Sequence, residues 1–582
     1  MVKKNTNKNL PVITAFGGIN AAGRSSSHQS YKNTIFDSLS DNCKQEVLQD
    51  LAVLEGKIES VSGGWETSSG DSIKLKTYLK ENLEEIRAQT MVRRIIREEF
   101  DPEGIILDQI QAGSAGMLPT GFDPSNLYPS RQHPKALQMT IFGMGDALGN
   151  LGIEWSEILK KIRPDEMAVF SGSAIGQMDK SGFGGLMQSR LKGSRASSKN
   201  LPLGLVEMSA DFINAYILGS VGRTGHCVGA CATFLYNLQL GKEAIENGTA
   251  KIVVVGGSEA PITPEIVDGF YAMSALADDK RLTQLQAQLN ETTEEGANHR
   301  LSCRPFGENV GMVLGESAQF VILMSDSLAL DLGAEIFGSV PSIFTHSDGY
   351  KSSISGPGIG NYITITKCIS EIASLIGINK LRTGSFVHAH GTGTPANRAT
   401  ESHILNEIAK LFKIKSWPIT AIKSYLGHSM APASGDQLIS ALGTWSKGVI
   451  PKIHSVEKIA KDVHQSNLDF LLEPKIKEKN FFKVAFLNAK GFGGNNASAA
   501  ILSPETTYEI VNKKHSKKRI NDYQKRLIKT RYKIKRYNHK ALKGKYKMVY
   551  KFNENVLKGE TDLKINKKEI HLKGFKKPIK LN

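Results

Sequence analysis

A cysteine at the start of a helical pattern is the first candidate nucleophile of this chain. Cys231 follows the small residues of TGHCVGA and precedes a helical pattern from Ala232 to Asn247. The positive end of a helix dipole lowers the pKa of a thiol placed there, and the thiolate is the nucleophilic form. The alternative is a small buried hydrophobic residue, the commonest fate of a free cysteine. Cys227, with His226 beside it, could alternatively be a metal ligand.

Two later segments carry histidines next to glycines. His388 and His390 alternate along a predicted strand and face one way, so they could bind zinc, or one could donate to a developing oxyanion. Packing or a surface position is the alternative for such a pair. Lys423 and His428 stand five residues apart around a turn glycine. In NAKGFGGNNASAAIL, residues 488–502, the flexible GFGG lets backbone N–H groups approach a ligand closely.

Together these four segments resemble the elongating β-ketoacyl synthases of fatty-acid and polyketide assembly, which are members of the thiolase-like superfamily. ACAT resembles the nucleophile elbow, HGTGT the first histidine loop, KSYLGH the lysine–histidine loop and GFGGNNA the C-terminal glycine loop. Glu401 follows His390 by eleven residues, and Lys423 precedes His428 by five, both family spacings. The likeness is strong over residues 200–502, weaker over 134–175, limited to the opening strand and turn at 12–23, and absent from 25–130 and 505–582.

The elements that must position these residues predict an α/β fold. The short apolar runs MAVFSGSA, KIVVVGGSEA, AQFVILM, SFVHAHG, PITAIKS and KVAFLNA alternate with helical stretches, which is typical of buried sheets covered by helices. LPVITAFGGINAAGR predicts a buried strand that ends in a turn. Pro134 predicts the start of a helix over KALQMTIFGMGDALGNLGI.

The resemblance implies a thiolase-like fold with two pseudo-symmetric βαβαβ-type halves in α-β-α-β-α layers. The N-terminal half would span residues 1–330, carry Cys231 and include an insert at about 25–130. The C-terminal half would span 331–504 and carry the histidine and lysine loops. A basic extension would follow at 505–582.

The resemblance also implies decarboxylative Claisen condensation. Cys231 would accept an acyl chain from the phosphopantetheine thioester of an acyl carrier protein, with the N–H groups of Cys231 and Phe492 as the oxyanion hole. Malonyl-carrier protein would then lose CO2, and His390 and His428 would donate to the enolate oxygen. The carbanion would attack acyl-Cys231.

The remaining roles implied by the family are supporting ones. Lys423, paired with Glu401, would fix the histidine array electrostatically. Thr392 and Thr394 would hydrogen-bond the pantetheine arm, and Phe492 would gate the pocket. No metal and no tightly bound cofactor are expected, because the phosphopantetheine arm arrives on the carrier protein. Family members are homodimers, and the same assembly is expected here.

The expected function is that of a 3-oxoacyl-[acyl-carrier-protein] synthase of fatty-acid biosynthesis. The alternatives are a ketosynthase of a dedicated polyketide or unusual fatty-acid pathway and a non-catalytic partner subunit that shapes chain length. Intact Cys231, His390 and His428 argue against the partner subunit. A zinc hydrolase on His388 and His390 lacks a third ligand.

Several positions depart from the family pattern and leave the substrate less certain than the chemistry. Arg398 stands where an acidic residue is usual, and His226 and Cys227 where small hydroxylated residues are usual. Ala489 and Lys490 replace Ser and Phe before GFGG. RPFGENVGMVLGESA, residues 304–318, is one residue shorter than the family segment and lacks its aspartate.

The net charge of +17 is concentrated at one end of the chain. Residues 505–582 carry 25 Lys+Arg and 7 Asp+Glu, or +18, so the other residues sum to −1. The favoured interpretation is a solvated, partly helical extension. The alternatives are docking to an acidic carrier protein, a nucleic acid or an anionic membrane, because Tyr523, Tyr532 and Tyr537 are interspersed among the basic residues. LKINKKEIHLKGF predicts a small hairpin.

Composition predicts a soluble cytoplasmic protein. No stretch approaches the roughly 20 consecutive apolar residues of a membrane helix. The apolar residues near the start of the chain continue directly into a predicted strand, so no signal peptide is expected. Five cysteines are too few for a disulfide framework and indicate a reducing compartment.

Overall fold

The computed structural model describes residues 8–58, 69–96, 111–130, 132–291, 296–353 and 356–581. A twelve-stranded mixed sheet draws strands from both halves of the sequence. Eleven strands form its main path: β1 (Pro11–Asn20), β2 (Met167–Gly172), β3 (Arg223–Gly225), β4 (Ile252–Glu259), β5 (Ser317–Ser325), β6 (Gly338–Ser347), β7 (Ser385–His388), β8 (Trp417–Thr420), β9 (Leu468–Phe470), β10 (Val484–Gly491) and β11 (Asn495–Leu502). The twelfth, Gly23–Arg24, pairs with β1.

The sheet repeats one pattern twice, in the order β9-β8-β7-β10-β11-β6-β1-β5-β4-β2-β3. From β1 outward through β5, β4, β2 and β3, the pairings are antiparallel, antiparallel, parallel and parallel. From β6 outward through β11, β10, β7 and β8, the orientations follow the same succession. The halves meet where β1 pairs antiparallel with β6, Val12 opposite Ser339. The predicted pseudo-symmetric α/β halves are confirmed.

Helices occupy three layers around these strands. The longer ones are α1 (Asp41–Leu54), α2 (Lys135–Leu151), α3 (Thr233–Glu246), α4 (Gly360–Ile376), α5 (Pro395–Phe412), α6 (Ala433–Lys447), α7 (Pro504–Lys514) and α8 (Lys517–Ala541). Apolar side chains of α3 and α6 pack together with strands of both halves in one buried cluster. α2 belongs to the core outside the N-terminal half, and α4 and α5 to the core outside the C-terminal half. The layers therefore alternate as α-β-α-β-α, with α3 and α6 between the strands of the two halves.

Shorter elements connect the layers. The remaining α-helices are Gln29–Thr34, Ser69–Glu81, Leu83–Ala88, Trp155–Leu159, Phe183–Gln188, Asn200–Gly204, Met208–Phe212, Pro264–Ala272, Asp279–Gln288, Asp326–Leu332, Ile378–Gly384, Lys423–Leu426 and Gly559–Asp562. The small sheets are Val92–Arg94 with Ser114–Gly116 and Leu314–Gly315, Val449–Ile450 with Lys475–Ile476, and Leu563–Ile565 with Glu569–Leu572 and Ile579–Lys580. The last of these confirms the predicted hairpin.

Part of the basic tail packs against the body: the prediction of a solvated, partly helical extension is wrong for one face of α8, whereas residues 551–560 are exposed. α8 buries Tyr523 and Leu527, which are 0% and 1% exposed, and its Tyr537 ring lies on α2. Gly149 leaves the space for that ring, because a Cβ at Gly149 would lie 2.4 Å from Tyr537 ring carbons. Only Tyr532 of the three tyrosines is largely exposed. The buried stripe recurs every three or four residues, as in any amphipathic helix.

A buried ionic network joins the tail to the beginning of the chain. The Arg24 guanidinium lies 2.7 Å from the Asp50 carboxylate and 3.4 Å from that of Asp146, and it donates to the Asn538 side-chain oxygen at 2.9 Å. The Tyr537 hydroxyl donates to Asp146 at 2.9 Å. Ion pairs therefore join Arg24 to the insert and α2, and hydrogen bonds join α8 to the same network. Within the described residues, no helix combines the length and apolar character that crossing a bilayer requires.

Candidate functional site

Cys231 lies in the turn that enters α3. Ala230 before it has φ 49°, in the left-handed region, and the N–H of Gly229 donates to the Thr233 hydroxyl at 3.0 Å. A Cβ at Gly491 would lie 2.3 Å from the Gly229 carbonyl oxygen and 3.1 Å from the Cys231 nitrogen. Glycine is therefore required there, and the glycine loop contacts the cysteine turn directly.

The Cys231 thiol is buried, and its pKa is raised. Only 6% of the residue is exposed, and its sulfur lies 3.9 Å from the Met430 sulfur. Burial raises the pKa of Cys231 to about 11, the Glu259 charge adds to the rise, and Lys423 opposes it. The helix start was predicted to lower this pKa, whereas burial raises it.

An apolar cluster surrounds the thiol. The Phe270 and Phe492 rings stack with centroids 6.0 Å apart. Ala112 and Ile95, from the segment predicted as an insert, belong to the same cluster. The other members are Val267, Leu276, Met312, Leu314 and Met430, with Ala174, Ile175, Ile262, Ile266 and Ala275 packed against them. Such a lining suits an aliphatic chain attached to Cys231.

Two neutral imidazoles stand next to this pocket. His390 Nδ1 accepts the Lys490 backbone N–H at 3.4 Å, and His428 Nδ1 accepts that of Met430 at 3.3 Å. The ring proton of each therefore lies on Nε2. The ring centroids are 5.5 Å apart and nearly perpendicular. Burial, with Lys423 nearby, holds the pKa of both histidines well below the ordinary value, so both present neutral N–H donors.

His388 does not share this environment. It is fully buried, neither ring nitrogen has a hydrogen-bond partner within the described part of the chain, and its ring packs against Phe386. Burial lowers the pKa of His388 to about 3. Across the described residues, no group of three His, Cys, Asp or Glu side chains could hold a metal ion, so the zinc alternatives at His388 and at Cys227 find no ligand set.

Glu401 holds the histidine loop through four hydrogen bonds. Its fully buried carboxylate accepts the N–H of His390 at 2.6 Å, that of Gly391 at 2.9 Å, and the side-chain amides of Asn488 at 2.8 Å and Asn397 at 3.0 Å. These donors occupy both oxygens. The backbone of His390 is thereby fixed in place.

Lys423 and Glu401 do not form the expected direct ion pair. Lys423 donates to the His390 carbonyl at 2.5 Å, and no ion pair within 4.0 Å joins it to Glu401, both residues being described. The physical reason is that Asn397 and Asn488 already occupy the carboxylate. The two charges still interact, since Glu401 raises the pKa of Lys423 while burial lowers it.

The remaining predicted residues lie on the adjoining loops. The Thr392 and Thr394 hydroxyls are 3.1 Å apart on the loop that follows His390. Phe492 is half-buried, and its carbonyl accepts the Asn495 side-chain amide at 2.6 Å. Of the eight predicted site residues, Glu401 lies on α5, Lys423 begins the short helix Lys423–Leu426, and the other six lie on loops or turns.

Two departures from the family pattern have a structural account. Lys490 contributes its backbone N–H to His390, a contact that any residue except proline supplies. Arg398 pairs with Glu308 at 3.0 Å and Asp462 at 2.9 Å and so joins three loops beside the site. Sequence reasoning missed Glu259, the second charge that acts on Cys231, since its only signal was a lone acidic residue at the end of an apolar strand.

Comparison with known proteins agrees with this geometry. The family of the beta-ketoacyl synthase N-terminal domain matches residues 76–329, and that of the C-terminal domain matches 339–457. The first match begins inside the segment 25–130 that the motifs did not cover, so that expectation was too narrow.

Full-length relatives extend the likeness. The chain is 41% identical to the beta-ketoacyl-[acyl-carrier-protein] synthase FabY of Pseudomonas aeruginosa, over 98% of both chains. It is 28% identical to a 3-oxoacyl-[acyl-carrier-protein] synthase 2 of Staphylococcus aureus, over 57% of this chain and 74% of that one.

Solved structures show the same fold. A crystal structure of the Pseudomonas aeruginosa ketosynthase FabY superimposes with a TM-score of 0.93 at 40% identity, covering 100% of this chain and 98% of that one. A type II polyketide ketosynthase in complex with its acyl-carrier protein superimposes with a TM-score of 0.60 at 18% identity, covering 85% of this chain and all of that one. The chain therefore belongs to the β-ketoacyl synthase family and has its thiolase-like α/β fold.

Proposed function

We propose that this chain is a 3-oxoacyl-[acyl-carrier-protein] synthase that condenses an acyl thioester with malonyl-carrier protein in fatty-acid biosynthesis. One observation carries the proposal: two neutral imidazoles, 5.5 Å apart, present N–H donors beside a buried cysteine in an apolar pocket. The named function of the relative that is 41% identical over nearly the whole chain supports the same reaction.

Acyl transfer comes first. The Cys231 sulfur attacks the thioester carbonyl, and the N–H groups of Cys231 and Phe492 stabilise the oxyanion. The carrier thiol leaves with the proton that Cys231 loses. Because the pKa of Cys231 is about 11, the resting thiol is largely protonated, and the Lys423 charge favours the thiolate. Removing one oxyanion donor costs about 3 kcal/mol of transition-state stabilisation in comparable sites.

Condensation follows on the malonyl thioester. The C–CO2 bond breaks, its electron pair becomes an enolate, and the Nε2 N–H groups of His390 and His428 stabilise the enolate oxygen. His428 Nε2 is buried without a partner among the described residues, so it is available to that oxygen. The enolate carbon then bonds to the acyl carbonyl, and Cys231 leaves as the thiolate and recovers a proton.

Lys423 and Glu401 act on this chemistry through His390. Lys423 donates to the His390 carbonyl, and Glu401 accepts its N–H, so the loop cannot shift without breaking bonds to a charge. Thr392 and Thr394 would bind the pantetheine arm that the carrier protein delivers. The acyl carrier protein is thus both substrate carrier and partner, and no tightly bound cofactor is required.

A homodimer is part of the proposal. β3 is an edge strand whose Arg223 and Thr224 are exposed, and Val221 and Val228 on either side of it are 44% and 43% exposed. An open edge with apolar flanks is a template for pairing with a second copy. All five cysteines are free thiols, which suits the cytoplasm.

The experiment combines the purified protein with acyl-carrier protein and malonyl-carrier protein and detects 3-oxoacyl product by mass spectrometry. Cys231→Ala is expected to abolish both acylation and product. Cys227→Ala is the matched control, because Cys227 is exposed and four residues away, and it should retain activity. Failure of the wild type to be acylated across a range of chain lengths would contradict the proposal and favour a partner subunit.

A further inference from the structure

Glu259 is a buried carboxylate that the proposed mechanism does not use. It ends β4 and is 1% exposed. One oxygen accepts the Ser173 hydroxyl, and the other accepts the N–H of Ala174 at 2.7 Å and that of Ala431 at 3.3 Å. The carboxylate therefore joins β4 to two loops that are distant in the sequence.

Ala431 connects this carboxylate to the helix of the nucleophile. Its N–H donates to Glu259, and its carbonyl accepts the Phe234 N–H of α3 at 3.2 Å. The preceding Met430 has φ 55°, and its sulfur lies 3.9 Å from that of Cys231. A residue in the left-handed region persists only where its surroundings hold it. Glu259 supplies part of that hold and so keeps the Met430 side chain against the thiol.

The second loop forms another wall of the same pocket. The Ser173 hydroxyl oxygen accepts the N–H of Gly176 at 2.7 Å and that of Ile175 at 3.2 Å while its proton goes to Glu259. Ala174 and Ile175 pack in the apolar cluster that contains Cys231. One carboxylate thus holds two walls of the acyl pocket.

The charged groups that face the thiol are Lys423 and Glu259, because His390 and His428 are neutral. Burial raises the pKa of Glu259 to about 7, against hydrogen bonds from Ser173 and from backbone N–H groups that lower it. Ionised Glu259 raises the pKa of Cys231. Ionisation of one group therefore opposes ionisation of the other.

We propose that Glu259 is a positioning residue of the acyl pocket, whose carboxylate clamps loops 173–176 and 430–431 around Cys231. When ionised, the same carboxylate also opposes formation of the Cys231 thiolate. The inference rests on the proposed function of Cys231. It adds a residue that touches neither the thioester nor the enolate.

The test follows alkylation of Cys231 by iodoacetamide between pH 6 and 9.5, by mass spectrometry of the Cys231 peptide in a Cys227→Ala background. With Glu259 present, the logarithm of the rate should rise with a shoulder near pH 7, where Glu259 ionises. In Glu259→Gln the shoulder should vanish, and alkylation at pH 8.5 should be about three- to tenfold faster, because the like charge is gone. Glu243→Gln, an exposed carboxylate on α3, is the matched control and should follow the parent.

A second variant keeps the charge and removes one donor. Ser173→Ala should move the shoulder to higher pH, because the ionised carboxylate loses a hydrogen bond. It also tests the proposal if Glu259→Gln does not fold. A Glu259→Gln profile that superimposes on the parent, or a Ser173→Ala shoulder that does not move, would overturn the charge effect.

The positioning part has its own readout. If Glu259 clamps the pocket walls, Glu259→Gln should change the ratio of kcat/KM between short and long acyl thioesters by about threefold or more, as expected for a reshaped apolar pocket. An unchanged ratio would overturn the clamp. Alkylation needs no condensation, so a wild type that alkylates as expected but forms no product would contradict the proposed function and leave the alkylation result standing.

Discussion

Replacing Glu401 by glutamine tests how strongly the histidine loop depends on one carboxylate. Each Glu401 oxygen accepts one backbone N–H and one asparagine amide. A glutamine has a single acceptor oxygen, so in either orientation two N–H donors face an NH2 group. Hydrogen bonds to charged groups contribute about 1.5–3 kcal/mol each, so the loss of two destabilises the fold by about 3–6 kcal/mol.

The same change should reduce catalysis more than a general loss of stability would. Depending on the orientation of the new amide, the backbone hydrogen bond that is lost is the 2.6 Å bond of His390 or the bond of the neighbouring Gly391. Lys423 also loses a nearby negative charge. A shift of about 1 Å at a reacting group can cost about 100-fold in rate. The assay pairs urea denaturation with the condensation rate measured on fully folded protein.

Glu407→Gln is the control, because Glu407 is exposed on the same helix α5 and its change should leave both quantities unaltered. Asn397→Ala removes one of the four donors and should lower the free energy of unfolding by about 1–2 kcal/mol. The reasoning is refuted if the free energy of unfolding of Glu401→Gln lies within about 1 kcal/mol of the wild-type value and its condensation rate equals that of Glu407→Gln.

Three further predictions concern His428, acid stability and the packing of α8. His428→Ala should lower the condensation rate about 100- to 1000-fold while Cys231 is still acylated. Mass spectrometry detects the acylated enzyme and the condensation product separately, and an equal loss of acylation and condensation would contradict the enolate role. His388, His390 and His428 are buried with lowered pKa and take up protons only after unfolding as pH falls below about 6.5, whereas Glu55 and Glu259, with pKa raised to about 7, oppose this. Three protons against two leave a net of about one, which predicts a loss of stability of about 1 kcal/mol per pH unit between pH 6 and 5, read from urea midpoints, and a rise in stability over that range would contradict it. Gly149→Ala should destabilise by about 1–3 kcal/mol through overlap with the Tyr537 ring, yet stabilise by up to about 1 kcal/mol in a Tyr537→Ala background, and additive effects would contradict the packing.

Elements with strong local signals were predictable from the sequence. Pro134 and Gly152 bracket α2, and Gly152 has φ 65°, as a helix end with glycine requires. The apolar run of β4 is buried along its whole length, as expected of a strand covered on both faces. Motif order indicated the family, since the segments that meet at the site each contain glycine or histidine in fixed spacing.

Features that depend on distant partners were not predictable. The raised pKa of Cys231 comes from burial by Met430 and the surrounding cluster, which no local pattern reports. Glu401 is occupied by Asn397 and Asn488, so the expected pairing with Lys423 gave way to a shared contact with His390. The apolar stripe of α8 was present in the sequence, but abundant lysines obscured it.

The contact between Arg24 and Asn538 bears on how the molecule is made. These residues are 514 positions apart, and the guanidinium is fully buried between carboxylates. At about 5–20 residues per second, a ribosome needs roughly 25–100 s to travel that distance. From the synthesis of α2 until that of α8, Gly149 lacks the Tyr537 ring that covers it and the Asp146 carboxylate lacks its hydrogen bond from Tyr537. The N-terminal half therefore completes its core only once α8 has been synthesised, and until then nascent chains are exposed to aggregation and degradation.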